Sequence, residues 1–264
     1  MIELLQQEFV RNALCAGLLA ALLCGVIGSL VVVNGVVFLA GGLAHGAYGG
    51  IGLAYFLGYP PLAGAALFSV GLSGLMAWIT LKESRQADTV VGVLWAAGMA
   101  FGIILLDLTP GYHPDLMSYL FGSIVAVPTA ELKVMAAAAA AVIGLTVLFY
   151  RPLEILSYDR DYARTRGLPV GPLYAFLLVL VALSVVLVIS VVGLILVIAL
   201  LSIPPYIAGR FSSSLKGMMI RATALSLLFT FSGLLLAFRF NLSSGASVIA
   251  VASTAFFLVL PFRR

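Results

Sequence analysis

Residues 173–201 read LYAFLLVLVALSVVLVISVVGLILVIALL, an apolar stretch without a single charged side chain. A transmembrane helix needs about 20 predominantly apolar residues to cross roughly 30 Å of bilayer hydrocarbon. The apolar character continues almost to Ala208, and one helix of that length would approach twice the hydrocarbon thickness. The sequence therefore predicts two consecutive spans here, one long and one short, divided near Ser190–Gly193.

The composition extends this prediction to the whole chain of 264 residues. Hydrophobic residues make up 63% of it and charged residues 9%, with a mean hydropathy of +1.19, whereas soluble domains are about 25% charged. The apolar runs are long and continuous, unlike the alternating segments of about ten residues in a transmembrane β-barrel. We predict an all-α polytopic membrane protein. Its net charge of +4 gives no reason to expect a nucleic-acid partner.

Seven further apolar runs are separated by glycine, proline and charged residues: Phe9–Val33, Val36–Leu57, Pro61–Leu81, Thr89–Leu106, Leu132–Tyr150, Ile220–Phe238 and Ala246–Leu260. The total is nine spans, or eight if the short one is re-entrant, in a single transmembrane domain over residues 1–264. The first run follows no basic segment and is too long for a signal peptide, so we expect it in the mature protein. A short helix at the membrane edge is predicted over Met117–Gly122.

The distribution of basic residues predicts the orientation. Of the 14 Lys and Arg residues, 11 lie in one set of alternating loops and 3 in the other, and the richer set is expected in the cytoplasm. The N-terminus is then external and the C-terminus cytoplasmic. The sequence contains no GxxxxGK[ST] phosphate loop. We therefore expect no enzyme activity here, and any ATP hydrolysis belongs to a separate polypeptide.

The largest cytoplasmic loop, residues 151–170, has the pattern of a helix. Gly167 suits the position just past a helix end, and Ile155, Tyr158 and Tyr162 fall on one apolar stripe. Two interpretations follow: an amphipathic helix lying on the bilayer, or a short helix that docks into the groove of a partner protein.

His45 is the one histidine within a predicted span. An ionisable residue inside a span indicates a functional site, and neutral imidazole is a common ligand of divalent transition metals. The alternative is a histidine hydrogen-bonded to the carbonyl of a neighbouring helix. Glycines on two adjacent stripes are expected to let helices pack closely and to leave bare space around the imidazole: Gly41 and Gly49, and Gly42, Gly46 and Gly50.

Polar residues on the predicted external side form a second group of candidates. His113 and Asp115 suit either contact with a metal or a metal-carrying partner, or ordinary turn positions. Asp107 ends its span as a snorkelling or pore-mouth carboxylate. Asn241, Ser243 and Ser244 are typical of a cap on the helix that follows them, with a place in the pore lining as the alternative.

Six segments, in order along nearly the whole chain, resemble a known family: Phe38–Gly52, Asp88–Gly98, Tyr119–Ser123, Tyr158–Gly167, Val192–Pro204 and Leu242–Ala246. The chain resembles the permease subunit of zinc-, manganese- and iron-type ABC importers. The resemblance implies a pore formed with a second permease copy, expected as a homodimer. It also implies a cytoplasmic ABC ATPase dimer that binds ATP, an extracytoplasmic metal-binding protein, and a place in a bacterial or archaeal cytoplasmic membrane.

The resemblance also implies roles for individual residues. His45 matches a histidine of the metal path in such permeases. The ATPase would dock on these loop residues: Tyr158, Asp159, Arg160, Asp161, Tyr162, Ala163, Arg164 and Gly167. Many relatives carry an aspartate where this chain has Gly41 and another where it has Asn241. One strong ligand per subunit remains, so two His45 side chains converge, or carbonyls and water complete the coordination, or the ion is an unusual one.

The leading interpretation is a permease for divalent metal uptake, with zinc, manganese or iron as the transported ion and no cofactor of its own. A permease for a chelated metal, siderophore or corrinoid is the first alternative, but such permeases are usually longer. A stand-alone secondary transporter would show internal repeats or intramembrane carboxylates. An intramembrane enzyme would need more reactive groups than one histidine.

Overall fold

The computed structural model describes residues 8–82, 87–110 and 127–261, and within these ranges the chain is helical. The helices are α1 (Glu8–Val33), α2 (Val37–Leu57), α3 (Pro61–Lys82), α4 (Ala87–Leu108), α5 (Thr129–Leu148), α6 (Tyr150–Tyr158), α7 (Arg160–Thr165), α8 (Val170–Val192), α9 (Leu194–Arg210), α10 (Leu215–Phe240) and α11 (Ser244–Val259). His113, Asp115 and the helix predicted over Met117–Gly122 lie outside the described residues.

The predicted spans correspond to helices of the structure. Seven of the described helices are long and apolar enough to cross a membrane, and the apolar helices α9 and α11 are shorter. The long run divides where predicted, because Gly193 separates α8 from α9 with φ +82°. That conformation favours glycine, since a Cβ atom would clash with the backbone. The all-α polytopic fold is thereby confirmed.

The chain divides into two compact units. The first contains the described residues of Met1–Val32, Leu116–Gly144 and Leu187–Arg264, and the second those of Val33–Asp115 and Leu145–Val186.

In the first unit, hydrogen bonds join the N-terminal ends of α1 and α5. The Asn12 amide donates to the Val127 carbonyl and to Thr129 Oγ1, both at 3.1 Å, and the Thr129 hydroxyl donates to the Glu8 carboxylate at 2.7 Å. The two helices therefore begin on the same side of the membrane. The predicted topology also has α1 and α5 begin on the same side, because it places both the N-terminus and residues 127–129 outside.

In the second unit, α2 packs against α3 and α4 almost backbone to backbone. A Cβ atom at Gly50 would collide with the Gly64 carbonyl of α3, and one at Gly52 with the Gly102 carbonyl of α4. Small residues allow this close approach between membrane helices, where packing rather than the hydrophobic effect drives association. The consequence is that the position of His45 on α2 is fixed by both neighbouring helices.

Candidate functional site

His45 lies in the middle of α2, about 12 Å along the helix axis from Val37 at about 1.5 Å per residue. All residues from Leu39 to Gly52 are buried except His45, which is half-buried. Its imidazole therefore reaches a surface of the chain that the residues around it do not. A polar ring at this depth is costly in hydrocarbon, which is why such residues mark functional sites.

One hydrogen bond defines the chemistry of the ring. His45 Nδ1 lies 2.8 Å from the carbonyl oxygen of Gly41. A carbonyl only accepts, so Nδ1 carries the proton and donates it. In the neutral ring Nε2 then holds the lone pair, and this nitrogen is the one that can coordinate a metal ion.

The hydrogen bond corrects one expectation from the sequence. The partner carbonyl belongs to Gly41 of the same helix, one turn earlier, and not to a neighbouring helix. The bond engages only Nδ1, and Nε2 makes no hydrogen bond among the described contacts. If His45 served only to link two helices, one of its ring nitrogens would be hydrogen-bonded to the neighbouring helix.

The predicted free space around the imidazole is absent at Gly49. A Cβ atom there would lie 2.7 Å from the Phe68 ring and 3.1 Å from the Gly98 carbonyl. Gly49 thus packs against α3 and α4. The four-residue spacing placed it beside His45 on one stripe, but the neighbouring helices occupy the volume that its missing side chain leaves.

Two aromatic residues near His45 were not singled out from the sequence. Trp95 of α4 stacks on the imidazole, with ring centroids 3.7 Å apart and 29° between the planes. Tyr48, three residues after His45, is 2% exposed, and its hydroxyl has no hydrogen-bond partner in the described part of the chain. Only the pairing of α2 with α4 could have revealed Trp95, and this pairing is long-range.

Within the described ranges, His45 is not part of a cluster of candidate metal ligands. No group of three or more His, Cys, Asp or Glu residues within the described ranges is arranged to hold a metal ion. Asp107 lies in the last turn of α4 with an exposed side chain.

The polar residues before α11 differ from their predicted role. Asn241 has left-handed φ/ψ of 52° and 45° and ends α10, with its N–H bonded to the Ala237 carbonyl. Ser243 precedes α11 but makes no capping hydrogen bond through its side chain. Asparagine tolerates the left-handed conformation better than most residues, which explains why it suits a helix C-terminus.

The loop over residues 151–170 contains two helices, and the prediction of one continuous apolar stripe is wrong. Asp159 is extended, with φ −152° and ψ 103°, and separates α6 from α7. Its carboxylate accepts hydrogen bonds from the backbone N–H groups of Asp161 at 2.9 Å and Tyr162 at 2.8 Å. Asp159 is thus the N-cap of α7, because a short carboxylate satisfies amides that a continuous helix would otherwise bond itself.

The end of α7 is as well defined as its beginning. Gly167 has φ +74°, its N–H donates to the Arg164 carbonyl at 2.9 Å, and the Leu168 N–H donates to the Ala163 carbonyl at 3.0 Å. This pair of bonds is the Schellman arrangement, which needs a left-handed residue and so favours glycine. The six residues of α7 are therefore held by a cap at each end.

The side chains at the end of α6 and in α7 divide into an outward and an inward set. Tyr158 and Tyr162 are 60% and 45% exposed, whereas Ala163 is fully buried within the chain. The Arg160 guanidinium lies over the Tyr174 ring of α8, 4.6 Å from its centroid. The loop is thus anchored on its own chain and presents two tyrosines outward.

Taken together, these features define a polytopic α-helical membrane protein with a loop helix that is capped at both ends. The chain belongs to the ABC 3 transport family, whose model matches residues 6–263.

Curated relatives and a solved structure agree with this family. The chain is 50% identical, over all of its 264 residues and 94% of the relative, to an uncharacterized membrane protein of Synechocystis sp.. It is 31% identical to the manganese transport system membrane protein MntC of Listeria monocytogenes, over 98% of this chain and 92% of that protein. It is also similar to a chain in the structure of PsaBC from Streptococcus pneumoniae in complex with Fab. That match has a TM-score of 0.88 and 28% identity over 99% of this chain and 94% of the other.

Proposed function

We propose that the chain is the permease subunit of an ATP-driven importer of divalent metal ions, and that the ion passes His45. The family match carries the transport function, and the relative from Listeria is named for manganese transport. Zinc, manganese and iron all remain candidate substrates, because imidazole binds each of them. ATP is bound and hydrolysed by a separate cytoplasmic ABC ATPase.

The path at His45 rests on the donor set of the described residues. Nε2 is a neutral ligand at the depth of the membrane, with no fixed negative charge to trap a cation. Weak binding suits transport, since an ion must leave the site as readily as it enters. The remaining coordination comes from the second permease copy, from backbone carbonyls or from water.

Coupling to the ATPase is assigned to α7 and to Tyr158, the last residue of α6. Tyr158 and Tyr162 supply exposed aromatic surface, which is favoured in protein interfaces. The capped ends of α7 make this surface rigid, so movement of the ATPase can be passed to the spans. An extracytoplasmic metal-binding protein delivers the ion on the opposite side of the cytoplasmic membrane, and two permease copies form the pore.

Metal uptake by complemented cells tests the proposal. A strain that lacks the gene is complemented with the wild type, His45→Ala or His113→Ala, and uptake of Zn²⁺, Mn²⁺ and Fe²⁺ is measured separately. We expect His45→Ala to abolish or strongly reduce uptake while the ATPase still co-purifies, and His113→Ala to matter much less. Full uptake of every metal by well-expressed His45→Ala would remove His45 from the path.

A further inference from the structure

The indole of Trp95 covers one face of the imidazole of His45. The ring centroids are 3.7 Å apart and the planes are inclined by 29°. A metal ion binds the lone pair of a nitrogen, which lies in the plane of the ring and points outward from its edge. A ring stacked on the face therefore leaves the coordinating edge open while it restricts the motion of the imidazole.

The indole is itself held on α4. Trp95 Nε1 donates to the sulfur of Met99, one turn later on the same helix, at 3.2 Å. The Phe38 ring of α2 also lies near the indole, 6.1 Å away between centroids and inclined by 51°. Trp95 thus offers a surface whose position does not depend on His45.

Two constraints together define one orientation of the imidazole. Rotation about χ2 of histidine is soft and roughly two-fold, so the ring alone would exchange its edges freely. The stack on Trp95 selects the two orientations that lie flat against the indole. The hydrogen bond from Nδ1 to the Gly41 carbonyl selects one of these two, and Nε2 is then presented in a fixed direction.

We propose that Trp95 is a positioning residue, which holds the His45 imidazole with Nε2 ready to coordinate the transported cation. This inference rests on the proposed passage of metal at His45. Coordination withdraws electron density from the imidazole, and a more electron-poor ring stacks more favourably on the electron-rich indole. Trp95 therefore favours the metal-bound histidine over the free one.

Two substitutions separate stacking from simple packing. Trp95→Phe keeps an aromatic face, whereas Trp95→Leu fills space without one. Aromatic pairs contribute enough for a change of about 2- to 12-fold, so we expect Trp95→Leu to lower the rate of Zn²⁺ uptake at limiting concentration by that factor. Trp95→Phe is expected to retain most of the rate. Equal rates for the two variants would overturn the proposal.

A spectroscopic measurement reports on the contact without transport. The chain has two tryptophans, and Trp78 is 61% exposed on α3, beside Lys82. Trp78→Phe leaves Trp95 as the sole indole in the purified full chain, reconstituted in lipid nanodiscs. Titration with Zn²⁺ is expected to change the Trp95 emission, and Trp78→Phe/His45→Ala is expected to abolish the change. The role of Trp95 would be contradicted if the emission did not change with Zn²⁺, or if it changed equally in Trp78→Phe and Trp78→Phe/His45→Ala.

The outcomes distinguish this inference from the function on which it rests. Normal uptake by His45→Ala would contradict both the proposed metal path and the proposed role of Trp95. Loss of uptake by His45→Ala, together with equal uptake by Trp95→Phe and Trp95→Leu, removes Trp95 alone.

Discussion

At the scale of single residues, the sequence predicted His45 as a functional candidate but did not predict the orientation of its ring. Its place within an apolar run marked it as a functional candidate, and the structure leaves it half-buried among buried neighbours. The tautomer and the stack on Trp95 were not predictable, because both depend on the exact approach of α4 to α2. The residue type predicted an imidazole as the candidate ligand, and contacts between helices set the orientation of its ring.

His45 belongs to no group of three or more potential metal ligands in the described ranges, and this predicts how the ion preference responds to substitution. His45→Asp replaces a borderline nitrogen ligand with a hard, charged oxygen ligand, which suits Mn²⁺ better than Zn²⁺. We expect partial uptake, with the ratio of Mn²⁺ to Zn²⁺ uptake higher than in the wild type. Competition uptake with both ions present measures this ratio.

His45→Asn is the matched control, since it has the shape of aspartate without its charge. The ratio in His45→Asn should not rise toward Mn²⁺ as it does in His45→Asp. An unchanged ratio in His45→Asp would mean that the ion does not contact residue 45.

At the scale of elements, the loop over residues 151–170 shows where periodicity fails. Gly167 was predicted to lie just past a helix end, and it does so with φ +74°. The break at Asp159 was missed, because a stripe of apolar residues continues across it in the sequence. The hydrogen bonds from Asp161 and Tyr162 to the Asp159 carboxylate outweigh that continuity.

The division of α7 into exposed and buried side chains decides which substitution tests docking. Ala163 is buried within its own chain, so a large residue there would disturb the loop itself. Tyr162→Asp instead places a charge on exposed aromatic surface that is expected to be desolvated by the ATPase. We expect co-purification of the ATPase to fall by about tenfold or more, since a buried unpaired charge costs several kcal/mol.

Tyr162→Phe is the control for this prediction, because it keeps the ring and removes only the hydroxyl. Both variants should insert into the membrane normally, as the loop lies outside the spans. If the ATPase co-purifies equally with wild type and Tyr162→Asp, α7 is not the docking element.

At the scale of the whole molecule, the apolar runs predicted the helices well because hydrocarbon imposes one rule on every span. Each backbone polar group must be bonded within the segment, so a long apolar run in a membrane becomes a helix. The ends of the runs agree with the helices to within a few residues, as at Val37–Leu57 and Leu194–Arg210. The ordering of the helices into two compact units was not predicted, since it depends on contacts between distant segments.

The orientation across the membrane remains a prediction from charge, and two exposed serines on opposite sides test it. Ser213 lies between α9 and α10, close to Arg210, Lys216 and Arg221, and Ser243 lies between α10 and α11. Because α10 crosses the membrane once, the two positions face opposite compartments. The excess of basic residues near Ser213 predicts a cytoplasmic position for it.

Single cysteines at these positions, in a chain whose own Cys15 and Cys24 are replaced by alanine, give a direct measurement. An impermeant thiol reagent added to intact spheroplasts is expected to label Ser243→Cys, and to label Ser213→Cys only after the membrane is permeabilised. Each variant serves as the control for the other, because both lie in short exposed loops at the two ends of one helix. Labelling of Ser213→Cys from outside, with Ser243→Cys protected, would show that the orientation is opposite to the predicted one. It would then place α7 on the side where no ATP is available, and coupling through Tyr162 would have to be abandoned as well.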